Sequence, residues 1–101
     1  MKEYLIPYLY CLPPYWSSLD FHNDNPTDNI ITIRFYSHPD GKLTKEIQQS
    51  ISTYASYILP TDLYPKAASG RHIVRILGPD NLKITNVYKI EQAPWMMQII
   101  S

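Results

Sequence analysis

Three histidines, one cysteine and a cluster of carboxylates are the side chains in this sequence equipped for chemistry. Asp20, His22 and Asp24 alternate along the chain, Asp28 follows, and His38 and Asp40 lie further on. Carboxylate and imidazole form the donor set of Zn²⁺, Mn²⁺ or Fe²⁺. On an extended segment Asp20, His22 and Asp24 would project the same way. Ligands carried by one loop need rigid support to converge, and the plainer reading is a polar surface loop held by Asp and Asn turns. No metal and no cofactor are expected. His72, with Arg71 and Arg75 beside it, has the make-up of a ribonuclease-like site, an imidazole acid–base next to guanidinium groups that could hold phosphate. That chemistry needs a second acid–base group, and the sequence nominates none. Cys11 sits among aromatic and aliphatic residues without an adjacent base, as a structural thiol does. Three glycines cannot build a phosphate-cradling loop, and no HExxH, CxxC or serine nucleophile motif is present. No catalytic residues are therefore assigned. A small metal- or His-dependent nuclease remains as one alternative.

Two sets of residues suit binding better than catalysis. The first is basic: Arg71, Arg75, Lys83 and Lys89 fall on two neighbouring extended segments, with tyrosines and tryptophans available for base stacking. This supports an alternative reading as a single-stranded nucleic-acid-binding module. The second set is aromatic and thioether: Tyr4, Tyr8, Tyr10, Tyr15 and Trp16 near the start, Trp95, Met96 and Met97 near the end. These residue types are enriched at the centres of protein interfaces. Nine tyrosines and two tryptophans are also more than a 101-residue core hides easily.

The elements that would position these residues can be read from periodicity. Residues 3–12 suit a strand that Pro7 weakens or moves to a sheet edge, with Tyr4, Ile6, Tyr8 and Tyr10 on one face and Leu5, Leu9 and Cys11 on the other. Residues 17–29 read as a long loop. Residues 30–36 form the clearest strand, with Ile31, Ile33 and Phe35 on one face, followed by a turn at His38-Pro39-Asp40-Gly41. Residues 43–59 predict a helix, with Leu43, Ile47, Ile51, Tyr54, Ala55 and Ile58 on one stripe and Pro60 as its stop. Residues 61–70 read as a second loop. Residues 71–77 and 82–90 predict a hairpin in which Ile76 opposes Leu82 and Val74 opposes Ile84. That register sets Arg75 against Lys83, a like-charge pair that calls for water or an acidic neighbour. Residues 95–100 add a short last strand. The expected fold is a single α+β domain over residues 1–101, a small two-layer sandwich with one helix (43–59) on a mainly antiparallel sheet of four or five strands.

Composition narrows the function classes. Lys and Arg number 9 and Asp and Glu 9, so no global excess of charge draws a polyanion. Residues 1–41 carry Lys2 and Arg34 against Glu3, Asp20, Asp24, Asp28 and Asp40, a net of −3, and residues 42–101 balance this with +3. A single cysteine permits no internal disulfide, which favours an intracellular, cytoplasmic setting. No segment has the length to span a bilayer as a helix, and no membrane partner is expected. The leading expectation is a non-enzymatic protein-interaction module, a small accessory or inhibitory protein of viral or phage type. It would bind a protein partner, or itself as a homodimer, through its Tyr/Trp/Met-rich surface.

Overall fold

A computed structural model describes residues 1–10, 15–65, 71–90 and 96–100, with the backbone alone for Tyr8, Tyr10, Tyr15, Trp16, Thr61, Lys89 and Ile90. The described chain is all-β, with eight strands: β1 (Lys2–Tyr10), β2 (Tyr15–Asn23), β3 (Asn29–Ser37), β4 (Leu43–Ile51), β5 (Ser56–Ile58), β6 (Arg71–Gly78), β7 (Leu82–Ile90) and β8 (Met96–Ile99). They form two antiparallel sheets of order β1-β6-β3-β4 and β5-β2-β7-β8. The inner faces share one core. Ile6, Leu9, Ile31, Ile33, Phe35, Val74 and Ile76 come from the first sheet, and Leu19, Phe21, Leu82 and Ile84 from the second. Each such side chain contributes roughly 1.5–3 kcal/mol on full burial.

The α+β expectation is thus corrected: among the described residues no α-helix packs on either sheet. Residues 43–59 form β4 and β5 instead. Ile47 and Ile51 are spaced by four, a multiple of two as well as a helical repeat, so they share the inner face of a strand equally well, while the register shift at Thr44 turns Leu43 to the outer face. Between the two strands Tyr54 turns the chain with φ +53, outside any right-handed helix, and its ring is exposed. The predicted loop at 17–29 is corrected too, since its first half is the central strand β2. Its inward positions are Ser17, Leu19, Phe21 and Asn23, all buried, and two of these four are polar. That mixture conceals the alternation.

Asn23 explains how the polar stretch folds. Its amide nitrogen donates to the carbonyls of Thr27 (2.8 Å), Ile51 (3.2 Å) and Ser52 (3.2 Å), and its Oδ1 accepts from Asn25 and Asn29. Asn25 in turn donates to the Asp80 carbonyl, and Asp28 accepts from the backbone and hydroxyl of Thr53. The turn after β2 is therefore tied to the β4–β5 and β6–β7 connections.

The expected β6–β7 hairpin is likewise corrected. β6 pairs with β1 and β3, whereas β7 pairs with β2 and β8. The Gly78–Leu82 connection crosses from one sheet to the other, so Val74, Ile76, Leu82 and Ile84 meet through the core rather than along one ladder. At the crossing a Cβ on Gly78 would lie 2.9 Å from Leu82 Cδ2 and 3.3 Å from Ile31 Cγ2, which explains the glycine.

Strand β1 lies at a sheet edge, as Pro7 suggests. Its register slips by one residue between Ile6 and Leu9. The bulge switches the pleat, so Tyr4, Ile6 and Leu9 all face inward. The expected turn is present after β3, where Gly41 closes with φ +70 and Ser37 donates to Asp40, whose carboxyl that hydrogen bond holds below its ordinary pKa.

Candidate interaction surface

The acidic cluster does not assemble. Asp20 and His22 do share the outer face of β2, but each is engaged locally. Asp20 accepts from Ser18 Oγ at 2.6 Å, and His22 Nδ1 shares a 2.9 Å hydrogen bond with Ser56 Oγ. Asp24 lies beyond the strand end and Asp28 is spent on Thr53. Among the described residues no group of three or more His, Cys, Asp or Glu side chains is placed to hold a metal. His72 is fully buried on the inner face of β6, its ring edge-on to Phe35 at 6.3 Å. Burial lowers its pKa, so it sits in the core as a neutral imidazole. Cys11 and Trp95 lie outside the described residues.

The basic set is split by the fold. Arg71 and Arg75 belong to β6 in the first sheet, Lys83 and Lys89 to β7 in the second. Arg75 and Lys83 project from opposite outer faces of the sandwich, so the shared basic face of the nucleic-acid alternative does not form from them. Arg75 lies opposite Arg34 of β3, a residue the sequence reading did not single out. Carboxylates at the two sheet edges answer this like-charge pair. Glu3 accepts from Arg75 Nη1 at 2.8 Å, and Glu46 accepts from Arg34 Nε at 2.6 Å. These hydrogen bonds raise both guanidinium pKa values further. The acidic neighbour that Arg75 calls for is thus Glu3 of the same chain. Around the four charges the outer face of the first sheet carries exposed Leu5, Ile30 and Leu43, with Tyr36 beneath Arg75.

The aromatic and thioether set divides as well. Tyr4 belongs to the core at 4% exposure, its hydroxyl donating to the Pro79 carbonyl, and so leaves the candidate surface. Tyr8, Tyr10, Tyr15 and Trp16 lie on β1 and β2, but their side chains are outside the described part. Met96 and Met97 are exposed on β8, and Ile99 joins them at 71% exposure. The sequence reading missed Ile99 as a site residue, although alternation along 95–100 pairs it with Met97. The ladder extends this patch. Met97 opposes Val87 and Ile99 opposes Thr85 on β7, with Asp20 next on β2 and exposed Ile58 beyond it on β5. The outer face of the second sheet is therefore polar along its middle and apolar along its β8 edge.

Comparison with family models, curated proteins and solved structures finds no match, so the functional reading rests on this geometry. Among the described residues no helix is long and apolar enough to cross a membrane.

Proposed function

We propose that this chain is a non-enzymatic protein-interaction module whose binding element is strand β8. The observation that carries the reading is an edge strand, M-M-Q-I, that bears no charge and holds Met96, Met97 and Ile99 in solvent. Methionine adapts its shape to a partner at small cost, and an edge strand offers main-chain hydrogen bonds beside such side chains. Among the described residues several polar groups that could do chemistry are engaged in structural contacts: His72 in the core, Asp20, His22 and Asp28 in local hydrogen bonds, Arg34 and Arg75 in ion pairs. A small accessory or inhibitory protein acting in an intracellular setting fits this pattern, and the single cysteine is in keeping with it.

A photo-crosslinking residue placed at Met97, compared with one at Gln48 on the outer face of β4, tests the proposal. Protein adducts, whether to this chain or to another, are expected from position 97 and not from 48. No adduct from position 97, or equal labelling from both, would contradict it.

A further inference from the structure

Among the described residues the sandwich has four edge strands, and three of them carry devices that discourage pairing. β1 has Pro7 and the bulge between Ile6 and Leu9. β4 has a register shift that leaves Thr44 as an extra residue, and beside it Lys45 stands on the inner face opposite Phe35, a charge turned towards the core side of the edge. β5 is three residues long and ends before Pro60. β8 has no proline, no charge and no register shift.

The direction of its free hydrogen-bonding groups follows from one contact. The Ile100 N–H donates to the Ile84 carbonyl at 3.0 Å, on the same ladder that sets Gln98 opposite Asn86 and Met96 opposite Tyr88. Amides alternate along a strand. Those of Met96, Gln98 and Ile100 therefore face β7, and those of Met97 and Ile99 face away from the sheet. Among the described residues no strand pairs with that side.

We infer that β8 pairs antiparallel with β8 of a second copy, in the register that sets Met97 opposite the partner's Ile99 and Gln98 opposite the partner's Gln98. This deepens the reading of β8 as the binding element and depends on it. Three features select a second copy as the occupant. In this register each outward amide finds a carbonyl, because the two Met97–Ile99 pairs become the hydrogen-bonded pairs of the new ladder. Inner and outer faces stay matched, with Met97 and Ile99 of both copies forming one apolar strip and the Gln98 amides meeting at the two-fold axis. The segment is uncharged, so two copies approach without repulsion, and a charged peptide would find no complement. A two-fold pairing uses up the open edge, and the protected edges stop further growth. A four-residue seam is small beside the standard interface of about 1,600 Å², so the dimer should be weak and appear at roughly tens to hundreds of micromolar.

The test uses the full chain in sedimentation velocity across that concentration range, with two variants. Ile99→Pro removes an amide that faces away from β7, so the monomer keeps its ladder while the dimer loses a bond at each copy. Gln98→Cys, in a Cys11→Ser background, puts two thiols at a pair whose Cα atoms lie about 4.5 Å apart, within disulfide reach. Wild-type protein is expected to dimerise with rising concentration. Ile99→Pro should weaken the dimer at least tenfold with an unchanged urea midpoint, and Gln98→Cys should form a covalent dimer under mild oxidation. A wild-type monomer throughout, an Ile99→Pro dimer as strong as wild type, or a dimer in which Gln98→Cys fails to cross-link would each overturn the inference. If a wild-type monomer still gives adducts to another protein from position 97, self-pairing is overturned while β8 stands as the binding element. With neither dimer nor adducts, both fall.

Discussion

Replacing Asn23 by alanine should cost about 2–5 kcal/mol, although the residue lies in the most polar stretch of the sequence. Its side chain is fully buried and donates to three carbonyls, of which that of Ile51 is itself buried. Leaving a buried acceptor without its donor costs about 1–3 kcal/mol, and each of the two more accessible carbonyls loses a further ~0.5–1 kcal/mol. The Asn25 and Asn29 amides also lose their common acceptor. For a domain of this size the sum corresponds to a fall of roughly 10–25 °C in Tm. Urea denaturation is the suitable assay, because the midpoint should shift while the slope, which reports the surface exposed on unfolding, stays constant. Asn23→Asp preserves the volume but trades the donor for an acceptor facing three carbonyls, and should destabilise at least as much. If Asn23→Ala costs less than about 0.5 kcal/mol, as an ordinary surface substitution does, the claim that this amide joins the turn after β2 to the β4–β5 connection is refuted.

Three further perturbations probe the core, the sheet crossing and the edges. Gly78→Ala should cost about 1–3 kcal/mol through overpacking against Leu82 and Ile31; wild-type stability in urea would show that the crossing is looser than described. Because burial lowers the His72 pKa, the unfolded chain binds a proton at a pH where the folded one does not. Stability should therefore be full above the ordinary histidine value near 6.5 and decline as pH falls below it, by at most about 1.4 kcal/mol per pH unit. His72→Phe should flatten that decline, and an equal slope in both proteins would count against a neutral core imidazole. Lys45→Val should lower the concentration at which the protein begins to scatter light, by removing the charge beside the β4 edge; unchanged solubility would contradict a protective role.

Sequence patterning read most reliably where one face is uniformly apolar. Ile31, Ile33 and Phe35 announced β3, Pro7 announced an edge, and Gly41 announced a turn. It failed where two periods coincide or where polar side chains face inward. The four-residue spacing of Ile47 and Ile51 fits helix and strand alike, and the choice between them is made by pairing with β3, which is not a local property. In β2 the inward Ser17 and Asn23 break the apolar alternation, and the hydrogen bonds that make Asn23 acceptable in the interior come from residues up to 29 positions away. The β6–β7 error has the same origin. Two strands joined by a short connection can pair or cross between sheets, and matched apolar residues satisfy both arrangements. Of the site, the methionines of β8 were legible as interface-type residues. The loss of Tyr4 to the core and the neutralisation of Arg75 by Glu3 depended on partners far along the chain.

Amide hydrogen exchange along β8, followed residue by residue at low and high protein concentration, tests the central claim most directly. The account predicts that the Gln98 amide, bonded to β7, is protected at both concentrations, while those of Met97 and Ile99 exchange freely when dilute and become protected as copies pair. Concentration-independent exchange at Met97 and Ile99, or protection of both in the dilute monomer, would contradict it.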